Sequence, residues 1–308
     1  MGRRKGGRAV SGWLVLDKPA GIGSTEAVGK VRWLFGAKKT GHAGTLDPLA
    51  SGMLPLALGD ATRTVPYVME GTKVYEFEVT WGERRSTDDA EGEAVERSAK
   101  RPSAQEIEAC LPSYIGEIKQ VPPAFSAIKV GGDRAYDLAR SGHEPKIGAR
   151  TVWVGEIRLL TAQTEKATFT LTCGKGTYVR SIARDLGSDL ACLGYVSALR
   201  RISVAPFTPD DLVSWDELLA TEKMDVAERH ATLDQLLLDP VEALEGQPCV
   251  QLTDEQATRV LNGNPALLRG RSAPLPVETA HAVYRGRLVA LGRIGEGAFH
   301  PNRVFPQT

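Results

Sequence analysis

The amino-acid sequence predicts an α+β fold. A mixed, largely antiparallel sheet forms the body of the chain, and a small β-rich unit closes it. Three observations carry this. Strand-like and helix-like stretches are interspersed but never settle into the strand–helix–strand alternation of a parallel sheet. Lys73–Trp81 alternates cleanly, with Tyr75, Phe77, Val79 and Trp81 on one face and Glu76, Glu78 and Thr80 on the other. From about Cys249 the texture changes to short β segments around one short helix, which sets residues 248–308 apart from 10–247.

Taken in order, residues 1–9 are basic and Gly-rich with no apolar run behind them, so they predict a short flexible arm and not a signal peptide. Residues 13–17 read as a strand, with Lys18-Pro19 and Gly21-Ile22-Gly23 as the turn after it. Ser24 suits an N-cap, because Ala27, Val28, Val31, Leu34 and Phe35 then recur at helical spacing. Residues 38–59 hold several Gly and two Pro with little periodicity, and predict a long structured loop, a feature that is often functional. Ser103 and Glu106 form a capping-box pattern ahead of Ile107, Cys110 and Leu111.

Residues 120–142 are unusual, with Pro122-Pro123, then a Gly131-Gly132 turn before Arg134-Ala135-Tyr136. Residues 152–160 and 167–173 read as neighbouring strands. Thr177 suits the cap of a helix whose apolar stripe is Val179, Ile182, Ala183, Leu186 and Leu190, and 197–204 reads as a further strand. Residues 208–247 are helix-rich. In the final unit Asp254–Leu261 reads as a helix, with 282–284 and 288–291 as strands.

Composition narrows the function classes. No apolar run is long enough to cross a bilayer, so no membrane partner is expected. Cys110, Cys173, Cys192 and Cys249 form no C-x-x-C pair and no cluster with histidine, which predicts reduced thiols, no metal site and a cytoplasmic setting. The 38 basic and 38 acidic side chains cancel, so a nucleic-acid partner requires positive charge gathered on one face. Arg3-Arg4-Lys5 with Arg8, Lys38-Lys39 and Arg200-Arg201 are the local concentrations available for that.

The chemistry centres on Gly41-His42-Ala43-Gly44-Thr45-Leu46-Asp47-Pro48-Leu49-Ala50-Ser51-Gly52. Pro48 restricts Asp47 to extended backbone, and the glycines let a ligand approach closely. An isolated Asp-Pro pair is ordinarily a structural turn; the run around this one sets it apart. That run resembles the catalytic signature of the TruB family of pseudouridine synthases, and the match continues through Gly59-Asp60-Ala61-Thr62-Arg63.

Further segments resemble the same family in the same order: Gly12-Trp13-Leu14 with Leu16 to Pro19, Lys73-Val74-Tyr75, Gln120 to Lys129 with Gly132 to Tyr136, Cys173 to Arg180 with Ala183 to Gly187, and Leu199-Arg200-Arg201. The resemblance covers roughly residues 10–207, and the C-terminal part more loosely. One block departs, with Arg85-Ser86 where the family often has Thr-Asp, followed by the retained Thr87-Asp88-Asp89-Ala90-Glu91-Gly92. The departure puts local loop contacts in question.

The resemblance implies a pseudouridine-synthase core over 10–247, with 120–150 as an RNA-binding insertion, and a PUA-like RNA-binding domain over 248–308. It implies Asp47 as the catalytic carboxylate, Arg180 as its partner, and Tyr75 as a ring stacked on uracil whose hydroxyl helps to remove the C5 proton. Stacking of that kind contributes about 1–3 kcal/mol per base. Tyr178 and Leu199 become pocket walls, His42 a filler of the space left by an everted base, and Lys18 a phosphate contact or a support for the Asp47 loop. The substrate implied is the T-loop uridine of tRNA (position 55 in tRNA numbering), flipped out at a cost of a few kcal/mol. No cofactor is implied, because the isomerisation oxidises nothing and loses no group. An aspartate beside an arginine is expected to be ionised near neutrality, and it can attack the sugar C1′, add to the base or remove a sugar proton.

Rival readings differ in class. An RNA-guided synthase of the dyskerin kind shares the motifs, but the long 120–142 element suits a stand-alone monomer with no obligatory protein partner. A non-catalytic RNA binder does not require Asp47, Tyr75 and Arg180 together. A cytidine deaminase requires a zinc signature that the sequence lacks.

Overall fold

The structure is a computed structural model that describes residues 6–126, 128–141, 146–268 and 275–306. The elements run β1 (Gly12–Lys18), α1 (Ser24–Leu34), β2 (Thr40–His42), β3 (Ser51–Leu58), α2 (Val65–Glu70), β4 (Lys73–Trp81), β5 (Glu83–Arg85), β6 (Ala94–Arg97), α3 (Ala104–Cys110), β7 (Gly116–Gln120), β8 (Lys129–Val130), β9 (Asp133–Arg134), α4 (Ala135–Arg140), β10 (Arg150–Ala162), β11 (Lys166–Cys173), α5 (Val179–Asp189) and β12 (Gly194–Val204). They continue with β13 (Val213–Ser214), α6 (Trp215–Ala220), α7 (Val226–Asp234), β14 (Cys249–Gln251), α8 (Asp254–Leu261), β15 (Ala266–Leu267), β16 (Val277–Tyr284), β17 (Arg287–Gly295) and β18 (Ala298–Val304).

The main sheet runs β13-β1-β3-β12-β4-β11-β10-β7, with β2 added to β3. Its pairs are antiparallel except β1 with β13 and β3 with β12, so the expected mixed, largely antiparallel sheet is present. One face packs against α1 and α5 through Leu14, Leu54, Phe77, Phe169, Val31 and Ile182. Phe77 stacks on Phe169 at 5.2 Å between ring centroids. On the other side of β1 and β3, Trp13, Val15, Met53 and Ala57 pack with Val68, Val204 and Phe207.

That double burial corrects the expectation of a loop over 38–59. Ser51–Leu58 is a central strand covered on both faces, so it reads as a continuous apolar run without alternation. Pro55 is tolerated because β3 pairs with β12 only at Ser51 and Gly52 and with β2 only from Leu56 onward. Two expected caps are also corrected. Gly23, not Ser24, caps α1, and Tyr178, not Thr177, caps α5. The capping box of Ser103 and Glu106 forms as expected.

The flexible arm is corrected in part. Residues 1–5 lie outside the described residues, but Arg8 is docked: its amide donates to the Gly36 carbonyl at 2.6 Å, and its guanidinium pairs with Asp234 at 2.5–2.6 Å. The stretch expected as an insertion is the connection between two sheet neighbours, since Gln120 pairs with Arg150. Residues 127 and 142–145 of it lie outside the described residues.

The final unit is a five-stranded sheet in the order β14-β16-β17-β18-β15 with its own core, in which Val260 of α8 meets Val289, Ile294 and Phe299. It meets the body through Leu288, Leu291 and Phe305 against Leu244, Tyr67 and Val241. Arg63 fastens the junction, donating to the Val304 carbonyl at 2.6 Å and lying over the Phe305 ring.

Candidate active site

A cleft of about 510 Å³ opens where the start of α1, the 43–48 loop, the start of β4, the start of α5 and β12 converge. Its lining includes Asp47, Tyr75, Tyr178, Arg180 and Leu199 from the sequence-predicted set, together with Phe125, Ser126 and Tyr136 from the 120–142 segment. Lys18 and His42 are not part of this lining.

The Asp47 loop is fixed from three sides. Ser24 Oγ donates to the Leu46 carbonyl at 2.7 Å and accepts from the Leu46 amide at 2.8 Å, which is why this buried serine does not cap its helix. The Gly21 amide donates to the Pro48 carbonyl at 2.7 Å. Arg201 donates from Nε to the Met53 carbonyl at 2.7 Å and from Nη2 to the Gly44 carbonyl at 3.1 Å. Gly52 has a φ of +99°, and a Cβ there would stand 2.2 Å from the Arg201 carbonyl oxygen, so only glycine fits.

Asp47 Oδ2 lies 2.9 Å from Arg180 Nε, with 35% of the aspartate side chain exposed and 6% of the arginine. Arg180 stands in the first turn of α5, where a cation opposes the helix dipole. Its remaining donors explain why it stays. Nη1 donates to the Thr87 carbonyl at 3.0 Å and reaches Asp89 at 3.3 Å, and Nη2 donates to the Phe125 carbonyl at 3.0 Å. One guanidinium thus joins the Asp47 loop, the 87–89 turn and the base of the 120–142 segment.

Asp89 is a buried residue that sequence reasoning missed as part of the site, although it stands in the retained Thr-x-Asp-x-x-Gly block. The turn that delivers it has Asp88 at φ 59°, with Asp88 paired to Arg184 at 3.0 Å. Arg85, the departure from the family pattern, holds this turn from outside. It donates to the Ala90 and Gly92 carbonyls at 3.1 and 3.3 Å and lies 4.4 Å from the Tyr195 ring centroid.

Electrostatics refine the expectation for Asp47. Burial pushes its carboxyl above the ordinary carboxylate range, while Arg180 pulls it back down. Burial likewise raises the Tyr75 phenol, opposed by the charge of Arg201, so Tyr75 keeps its proton near neutrality. Tyr178 is braced by Gln120, which accepts from its amide at 2.8 Å and donates to its carbonyl at 3.0 Å. Leu199 is both a cleft wall and a core residue, opposite Phe77 across the strands.

Lys18 corrects the phosphate-contact expectation. It is wholly buried, and its ammonium donates to the Pro19 and Ile22 carbonyls at 2.8 Å each, so it supports the turn that clamps Pro48 and cannot reach solvent. Burial lowers its pKa to about 8. His42 is half-buried on β2 opposite Leu56, and burial followed by the charge of Arg201 lowers its pKa. A neutral ring beside the cleft suits packing against a base better than pairing with phosphate. Arg200 and Arg201 do not form a surface patch either: Arg200 pairs with Asp17 at 2.8–2.9 Å, and Arg201 is 2% exposed.

Comparison with known proteins identifies the family. Residues 32–179 match the model of the TruB family pseudouridylate synthase N-terminal domain, and residues 180–245 that of the tRNA pseudouridylate synthase B C-terminal domain. The chain is 59% identical over 304 residues to tRNA pseudouridine synthase B of Sinorhizobium medicae, covering 98% of both chains. The chain belongs to the TruB family. It is also 54% identical over 321 residues to the protein of the same name from Brucella ovis, covering 99% of each. These relatives match through the final unit, where the sequence resemblance is looser than over 10–207.

Among solved structures, a chain from an H/ACA ribonucleoprotein bound to a substrate RNA containing 2′-deoxyuridine aligns with a TM-score of 0.74 at 23% identity, covering 96% of this chain and 85% of that one. A Cbf5-Nop10-Gar1 complex gives 0.69 at 24% identity, covering 96% and 84%. At that identity the likeness concerns the fold.

Proposed function

We propose that this TruB-family chain isomerises the T-loop uridine of tRNA, at position 55, to pseudouridine, as a cytoplasmic monomer that needs no cofactor and no obligatory protein partner. The single observation that carries the reading is the Asp47 carboxylate on the cleft wall, 2.9 Å from Arg180 Nε and still one-third exposed. A structural Asp-Pro turn does not need a buried arginine shared with a second aspartate.

The reaction breaks the N1–C1′ bond, turns the uracil and joins C5 to C1′. The C5 proton is lost and N1 gains one, so the product is an isomer. Asp47 starts the chemistry as the carboxylate that lines the cleft, and Arg180 favours its ionised form against the cost of burial. Tyr75 supplies a stacking face for the uracil; with its phenol held protonated, the direct removal of the C5 proton by a phenolate is the weaker part of its expected role. Tyr178 and Leu199 close the pocket, and His42 is placed to pack where the everted base was. Lys18 acts through the loop and not on the RNA.

A second concavity of about 620 Å³ between the body and the final unit is lined by Arg8, Lys38, Lys39, Arg63 and Arg287 together with Asp60 and Asp239, and in it Arg8 is paired with Asp234 and Arg63 with Asp60. Its excess of basic over acidic side chains supports a local RNA contact on a chain whose net charge is zero. The final unit is assigned as a PUA-like RNA-binding domain on its β-rich architecture. Four free cysteines suit a reducing compartment. The test is incubation of the purified chain alone with a T-arm stem-loop and with full-length tRNA, followed by chemical mapping of pseudouridine. Product at the T-loop position in both is expected. Product only with added proteins would favour the RNA-guided class.

A further inference from the structure

Arg201 is the least expected charge in the molecule. It is 2% exposed and, among the described residues, has no carboxylate in ion-pair reach. A buried cation with no carboxylate beside it is costly, and a well-packed apolar side chain would ordinarily be preferred. Something at this position uses the guanidinium.

Its surroundings show what. Arg201 lies directly across the β12–β4 pairing from Tyr75 and across the β12–β3 pairing from Gly52. The antiparallel pairing with Tyr75 puts the two Cβ atoms about 5 Å apart. From that position the side chain forms part of the cleft wall, donates to the Met53 and Gly44 carbonyls and comes within 3.5 Å of the Thr45 carbonyl. It also bears on the Tyr75 hydroxyl by charge and by side-chain contact. The Asp47 loop and Tyr75 belong to different elements, and Arg201 touches both.

We propose that Arg201 is a positioning residue which couples the Asp47 loop to Tyr75, setting the place of the stacking ring relative to the carboxylate. This rests on the reading of Asp47 and Tyr75 as the groups that meet the substrate. Arginine is required because its planar fork reaches carbonyls on one side and a hydroxyl on the other; a lysine keeps the charge but offers one point donor. The groups facing Arg201 are Lys18 from β1, His42 from β2, Lys73 and Tyr75 from β4 and Cys173 from β11, and none of them is an acid that would neutralise it.

The experiment is a double-mutant cycle on single-turnover pseudouridine formation with R201K, Y75F and the double variant, with tRNA affinity and thermal melting measured in parallel. R201K is expected to lower the rate about 100-fold with affinity near wild type. In the Y75F background the same change is expected to cost at least tenfold less, because the hydroxyl that Arg201 orders is gone. A merely structural arginine would give equal losses in both backgrounds, and that result, or a wild-type rate for R201K, overturns the proposal. If R201K melts too low to assay, R201Q and a Tyr75 hydroxyl followed by NMR in the wild-type protein keep the question open to refutation: an unaltered Tyr75 signal in any folded Arg201 variant counts against it. Inactive wild-type enzyme would instead sink the functional reading.

Discussion

The two ends of β1 and β3 are built on opposite principles. At one end Lys18 pairs with Gly52, and the surroundings are buried charges: Lys18, Arg201, Arg180 and Asp89. At the other end Gly12 pairs with Leu58, about 20 Å away along the strands, and the surroundings are apolar packing and a junction to the final unit. The first end spends stability on polar groups with fixed partners. The second supplies stability and a platform. A substitution at the first end should therefore change rate more than fold, and one at the second should do the reverse.

The sharpest test of that division is Asp47→Asn. Loss of turnover by about 1000-fold or more is expected in single-turnover assays, with tRNA affinity retained. Asp89→Asn comes next, because it leaves Arg180 with an uncompensated share of buried charge. Breaking such a pair costs about 3–5 kcal/mol when it is fully buried. Urea unfolding should show part of that loss, and the rate should fall with it. A normal rate in Asp89→Asn would mean that Arg180 needs only Asp47.

At the far end, Leu291→Ala removes a buried contact of the junction and should cost about 2–5 kcal/mol in unfolding measurements. Its single-turnover rate on a T-arm stem-loop should stay close to wild type; a large loss of rate would break the comparison. The pH profile tests the first end more gently. Burial raises the Asp47 carboxyl, so the ionised form is lost as pH falls through a value above the ordinary carboxylate range. The acid limb of the single-turnover rate should lie there, and Asp47→Glu should move it. A chelator should have the smallest effect of all, leaving the stem-loop rate unchanged.

Legibility in the sequence followed the same division. The alternation of Lys73–Trp81, the capping box at Ser103 and the stripe of α5 were readable because each is a local pattern on a half-buried surface. Ser51–Leu58 was not, because burial on both faces erases alternation. In the site, Asp47 and Arg180 were legible from the motifs around them. What Ser24, Asp89 and Arg201 do was not, since each acts through partners between 22 and 157 positions away in the chain, and no local spacing reports such contacts. Ser24 was misread for that reason: its side chain prefers the Leu46 backbone to its own helix end.

The most direct measurement is release of tritium from tRNA carrying it at C5 of its uridines. Formation of pseudouridine at one site must expel that proton. Wild-type protein should release one equivalent per tRNA, and Asp47→Asn should release none while binding the same RNA. Release by the variant at a rate near wild type would contradict the assignment of the reaction to this carboxylate.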